Sequence, residues 1–277
     1  MDEPIPPASR NEMETVTSAD GTTIAFKRTG SGPPLVLVHG GACDHRFWEL
    51  ADVRPALADH CTAYAMDCRG VGESGDANQY ELDREFEDVA AVVDTIDEPV
   101  TLLGHSSGAL LSLEAALRTD DLHKLVLYEP PITVGDHRLY DEAVLAEMER
   151  LLDEGENEQV LVLFLREIAQ STPEEIAEQR AAPNWRELVD AAHVWPRSVR
   201  AVGAYEFDAA RFGTMTTPTL LLSGSESPQF LRDVTEPISD ALPNSRIVTF
   251  DGHGHEAMLT ATDRFVDEIL AFIQDPN

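Results

Sequence analysis

The chain has 277 residues, and 43% of them are hydrophobic. That is enough for one large domain with a buried core, and it excludes a wholly disordered protein. Asp and Glu number 51 against 20 Lys and Arg, and the resulting net charge of −31 excludes nucleic acid and anionic membrane surfaces as partners by repulsion.

The Met1–Arg10 segment is rich in proline and polar residues and reads as loose. It lacks the basic and apolar regions of a secretion signal. No apolar run in the chain approaches the roughly 18 residues that cross a bilayer, so the expected location is the cytoplasm. Met13–Ser18 and Thr22–Lys27 alternate in the strand manner around Ala19-Asp20-Gly21, which predicts a hairpin. Leu35–Val38 is a continuous apolar run, as in a strand buried on both faces. A helical pattern covers Arg46–Ala58. Thr62–Met66 then reads as a strand, Glu85–Ile96 as a helix, Val100–Leu103 as a strand, Gly108–Leu117 as a helix and Leu125–Tyr128 as a strand. This rhythm predicts an α/β fold, a mostly parallel central sheet with helices on both faces.

The rhythm stops after Pro130-Pro131. Up to Phe212 the pattern is helical, including Asp141–Leu152, Glu158–Ala169 and Trp185–His193. It resumes with strand Thr219–Leu222, helix Phe230–Ala241, strand Arg246–Phe250 and helix Ala261–Ile273. Residues 1–130 and 213–277 therefore read as the core, and 131–212 as a helical insertion after the strand ending near Tyr128. Strand carboxyl ends carry the site in open α/β sheets, so the insertion is placed to act as a lid.

Gly104-His105-Ser106-Ser107-Gly108 matches G-x-S-x-G and sits between a predicted strand and a predicted helix. The tight turn needs its glycines, exposes the Ser106 hydroxyl and aims the Ser107 N–H at a developing oxyanion. His39-Gly40-Gly41 follows another strand, and its open backbone offers the Gly41 N–H as a second oxyanion donor.

Together with Asp67-Cys68-Arg69-Gly70-Val71-Gly72-Glu73-Ser74 and Gly252-His253-Gly254-His255, these segments resemble the α/β-hydrolase superfamily, in its serine-nucleophile, lidded, esterase- or haloperoxidase-like branch. The resemblance spans nearly the whole chain. It implies that His255 is the base for Ser106, with His253 the competing loop residue, and that the Asp67–Ser74 loop is structural with an anchoring arginine. His39 and His105 belong to the motif loops and orient backbone. His45, His60, His123, His137 and His193 read as surface or lid residues, and none of them has metal-site spacing.

The family's usual acid position, three residues after the glycine that ends the strand following the lid, is Ser227 here. Two carboxylates remain open as replacements: Glu129, which ends the strand after the nucleophile's strand, and Glu226, one residue before the usual place. Phe164, Trp185, Trp195 and Tyr205 in the helical insertion imply an apolar cleft.

The function expected from this set is a cofactor-free, metal-free serine hydrolase cleaving a small, mainly apolar ester, thioester or lactone. Carbon–carbon or amide cleavage uses similar parts and stays open; two rivals of another class are a perhydrolase or haloperoxidase-like enzyme, and a silent ligand-binding relative that the missing acid at Ser227 would explain. Cys43, Cys61 and Cys68 have no disulfide or zinc spacing; Cys43 lies nearest the site loops. Only Lys27 and Lys124 are lysine, and acids spread along the whole chain resemble proteins of salt-accumulating halophiles, in which ~1 M salt shrinks the Debye length to about 3 Å.

Overall fold

The computed structural model describes residues 13–133 and 139–275. The Met1–Arg10 segment and His137 lie outside the described residues. Among the described residues, eight strands form one sheet: β1 (Met13–Thr17), β2 (Thr23–Gly30), β3 (Pro34–Val38), β4 (Thr62–Met66), β5 (Val100–His105), β6 (Leu122–Tyr128), β7 (Thr219–Gly224) and β8 (Ser245–Phe250). Their order across the sheet is β1-β2-β4-β3-β5-β6-β7-β8. β2 is antiparallel to β1 and β4, and the other pairs are parallel.

Period-two alternation divides the sheet's side chains between two cores. Val36 and Val38 of β3 enter one with Tyr64, Met66, Leu102 and Leu127; Leu35 and Leu37 enter the other with Ala63, Ala65, Leu103 and Val126. The second face is covered by α1 (Val53–Ala58) and, at the chain's end, by Phe265, Ile269 and Phe272. The first face is covered by α2 (Leu82–Asp94) and α3 (Ser107–Ala115).

Among the described residues, six helices connect β6 to β7: α4 (Glu142–Asp153), α5 (Asn157–Glu167), α6 (Pro173–Ala181), α7 (Trp185–Asp190), α8 (Val194–Gly203) and α9 (Ala209–Phe212). Their buried Leu145, Met148, Leu161, Phe164, Trp195 and Val199 belong to the first core. After β7 come α10 (Gln229–Arg232) and α11 (Thr235–Ala241), and after β8 come α12 (Ala257–Thr260) and α13 (Thr262–Gln274). None of the helices among the described residues is long and apolar enough to cross a membrane.

Two predicted helices are interrupted, and the predicted Trp185–His193 helix ends three residues early. His45–Asp52 is a 3-10 helix, and Asp52 takes φ 60° before α1 begins, so one helix cannot run through Arg46–Ala58. Phe230–Ala241 divides into α10 and α11 because Pro237 has no N–H for a bond to the Asp233 carbonyl and is tolerated in a first turn. Pro196 acts in the same way on Ala192, so α7 stops at Asp190 and α8 starts afresh at Val194.

The loop after β4 is tied down by Arg69, which is only 1% exposed. Its Nε and Nη2 donate to Asp88 of α2 at 2.6 and 2.7 Å, and its Nη1 donates to Asp20 of the β1–β2 turn at 2.9 Å. The guanidinium holds the Asp20 carboxyl below its ordinary pKa through that hydrogen bond. Removing the cation leaves the buried Asp88 charge without a partner, which costs about 3–5 kcal/mol. Arg69→Ala should therefore lower the melting point by roughly 10 °C for a domain of this size. A thermal melt unchanged by the substitution would contradict this view of the loop.

Candidate active site

The turn between β5 and α3 puts Ser106 at φ 53° and ψ −124°, a left-handed backbone that costs a non-glycine residue about 1–3 kcal/mol. The flanking glycines permit it. A Cβ at Gly104 would lie 2.3 Å from the Gly108 carbonyl oxygen, and a Cβ at Gly108 would lie 2.3 Å from that of His39. The Ser106 N–H donates to the Tyr128 carbonyl of the neighbouring strand end at 2.8 Å, fixing the turn to the sheet. Ser107 is the first residue of α3, so its N–H has no acceptor within the helix.

The loop after β3 approaches this turn closely. A Cβ at Gly40 would meet His105 Nδ1 at 3.0 Å and Ser106 Cβ at 3.1 Å; one at Gly41 would meet the Phe164 ring at 2.8 Å. His39 holds the loop. Its Nδ1 lies 2.7 Å from the Gly40 carbonyl, and its Nε2 accepts the Cys68 N–H at 3.1 Å, so the proton sits on Nδ1. Burial pushes the His39 pKa down, which keeps the ring neutral and in that tautomer.

His255 lies in the loop between β8 and α12. Its Nδ1 is 2.6 Å from Oε2 of Glu129, which is 0% exposed. Glu129 follows β6 at φ 46°, and its Oε1 accepts the Ser223 hydroxyl at 3.0 Å and the Gly224 N–H at 2.7 Å. The carboxylate thus spans from the end of β7 to the imidazole. With Nδ1–H donating to Glu129, Nε2 is left unprotonated.

The competing residues stand elsewhere. Glu226 is exposed, and its backbone N–H donates to the His253 carbonyl at 2.9 Å. Ser227 is buried, and its hydroxyl has no partner among the described residues. His253 pairs with Thr260 Oγ1 at 2.8 Å.

The His255 loop is positioned by two further groups. His105 Nε2 donates to the His255 carbonyl at 3.0 Å, and its ring stacks on Phe47 with centroids 5.0 Å apart. Burial and the neighbouring His255 push the His105 pKa well below its ordinary value, so it remains neutral. The Tyr128 hydroxyl donates to the Gly254 carbonyl at 2.7 Å. Sequence reasoning missed Tyr128; its place at a strand end, beside Glu129, was the available signal.

His45 corrects its reading as a surface or lid residue. It is buried, and its N–H and Nδ1 both meet Asp67 Oδ1, at 2.8 and 2.9 Å. Asp44, His45 and Asp67 offer ligand atoms within 4.8 Å of one another. Their capacity is already used: Asp67 Oδ2 accepts the Glu73 N–H, and Asp44 accepts from Arg46 and Asn184. His60, His123 and His193 are exposed.

Ser106, Ser107, Gly41 and His255 line one cavity with about 90 Å³ of room. Its remaining walls are largely apolar and come mostly from the helices between β6 and β7, with Phe164, Leu165, Ile168, Val199 and Val202 among them. Of the four aromatic residues that imply the cleft, Phe164 lines it; Trp195 packs against Phe164 with ring centroids 6.0 Å apart. Cys43 also borders the cavity, but burial raises its thiol pKa well above the ordinary value and keeps it protonated.

Comparison with known proteins agrees with this architecture. An α/β hydrolase from Sphaerobacter thermophilus DSM 20745 superposes with a TM-score of 0.77 at 35% identity, over 91% of this chain and 99% of that one. The esterase RhEst1 from Rhodococcus sp. ECU1013 gives a TM-score of 0.75 at 25% identity, over 96% and 99%. The uncharacterized hydrolase YraK of Bacillus subtilis (strain 168) is 33% identical over 116 residues, which are 40% of this chain and 42% of that relative's length. The family model described as "Alpha/beta hydrolase family" matches residues 35–268, and the chain belongs to that family.

Proposed function

We propose that the protein is a serine hydrolase that cleaves a small, mainly apolar ester, thioester or lactone through an acyl-enzyme. The observation that carries this reading is the 2.6 Å contact between His255 and the buried Glu129, with His255 and Ser106 on the wall of one apolar cavity. A carboxylate on Nδ1 fixes the tautomer in which Nε2 can accept a proton and stabilises the imidazolium that results.

In this mechanism the Ser106 proton passes to His255 Nε2 as Oγ bonds to the substrate carbonyl carbon. The carbonyl oxygen becomes an oxyanion held by the Gly41 and Ser107 N–H groups. Collapse expels the alcohol, thiol or ring oxygen, which takes the proton from His255. Water, deprotonated by His255, then attacks the acyl carbon, and the Ser106–acyl bond breaks to regenerate the hydroxyl. None of these steps calls on a metal or a cofactor. The esterase activity named for RhEst1 supports ester chemistry, and serine rather than aspartate at position 106 argues against the carboxylate-nucleophile branches of the fold.

In this reading residues 131–212 form a lid over a core of residues 1–130 and 213–277, and the substrate is a small molecule handled in the cytoplasm of a salt-rich cell. The silent-binding alternative drew on Ser227, and the contact of Glu129 with His255 supports the catalytic reading over it. Hydrolysis of p-nitrophenyl butyrate in ~2 M KCl, where surface charges are screened within a few Å, tests the proposal. Activity is expected in the wild type and should fall to the uncatalysed background in Ser106→Ala. An inactive wild type, or an active Ser106→Ala, overturns it. Peroxide-dependent bromination of a dye that outpaces ester cleavage would favour the haloperoxidase-like alternative.

A further inference from the structure

The residue after His255 has no part in the chemistry above. Glu256 borders the same cavity as Ser106, and its carboxylate forms no hydrogen bond or ion pair with any described residue. It does not cap α12, although it occupies the cap position, and it does not orient His255, whose Nδ1 is held by Glu129. Its titratable neighbours are His255, the neutral Cys43 thiol and Glu175; burial pushes the Glu256 carboxyl up, and His255 opposes that shift. Among the described residues lining the cavity there is no arginine or lysine. Glu256 is half-buried, and a carboxylate partly withdrawn from water is ordinarily held by a partner. Among the described residues Glu256 has no such partner, and it borders the space the substrate fills.

We propose that Glu256 sets the charge selectivity of the site: the substrates are neutral or cationic carbonyl compounds, and those carrying a second, free carboxylate are excluded. The inference rests on the serine-hydrolase reading and adds a substrate class to it. Two like charges about 6 Å apart at an effective dielectric near 20 repel strongly enough to cost tenfold or more in binding, and a cation gains by the same interaction. The repulsion also expels the carboxylate product.

The test compares esters of matched shape at about pH 8, above the ordinary carboxylate range, in ~2 M KCl, which screens the diffuse field of the acidic surface more than a contact inside the cavity. One pair is methyl 5-methylhexanoate and monomethyl glutarate, and the other is 3,3-dimethylbutyl butyrate and butyrylcholine. In the wild type, kcat/KM for monomethyl glutarate should fall at least about tenfold below its neutral partner, while butyrylcholine equals or exceeds its own. Glu256→Gln should bring the first ratio to within about threefold and remove any advantage of the cation. A wild type that accepts monomethyl glutarate as readily as the neutral ester overturns the proposal, as does a Glu256→Gln variant with unchanged ratios.

If none of the four esters is turned over, the serine-hydrolase reading fails, and the selectivity is then read from binding alone. In an NMR titration, 5-methylhexanoate should bind at least about tenfold more tightly than glutarate, and Glu256→Gln should close the gap. Equal wild-type affinities overturn the inference.

Discussion

Glu129→Gln should lower kcat for a p-nitrophenyl ester by about 10³–10⁴-fold while leaving the fold intact, and Glu226→Gln should leave kcat within about threefold. The size of the first effect follows from the way the Glu129 oxygens are committed. Oε1 accepts from both the Ser223 hydroxyl and the Gly224 N–H, so a glutamine must place its carbonyl oxygen there. The amide nitrogen then faces His255 as a donor. Nδ1 must accept, the ring proton moves to Nε2, and the nitrogen that should receive the Ser106 proton is blocked. The geometry persists while the tautomer is wrong. Glu226 is exposed, and its side chain has no such connection. Steady-state kinetics with a thermal melt of each variant checks both. Equal, small losses would show that neither carboxylate serves His255.

The parts of the site that could be read from the sequence are those in which local sterics dictate residue type. Gly104 and Gly108 are needed because a Cβ at either position would strike backbone 2.3 Å away, and so the turn announces itself over five residues. The strands were legible because a sheet buried on both faces leaves continuous apolar runs, as Leu35–Val38 shows. The helix boundaries were less so. Apolar periodicity continues across Pro196 and Pro237, yet each proline withholds one backbone donor and starts a new helix.

The contact between Glu129 and His255 was not legible in the sequence because it joins residues 126 positions apart. Glu226 lies one residue from the family's usual position yet faces solvent, while Glu129 reaches the imidazole from a different strand. At the end of β7, Ser223 and Gly224 turn a hydroxyl and an N–H toward Glu129, while Ser227 remains buried. His45 was misread for the same reason, since its partner Asp67 lies 22 residues away on another strand's end.

The account stands or falls on whether the Ser106 hydroxyl is a nucleophile activated by His255. A fluorophosphonate reacts covalently only with a serine whose proton is taken as its Oγ attacks phosphorus, so no knowledge of the natural substrate is needed. Labelling followed by peptide mapping should find a single adduct, on Ser106. Ser106→Ala should carry none, and His255→Gln should label at least about 10³-fold more slowly. An adduct on another serine, or labelling at the wild-type rate in His255→Gln, would contradict the account.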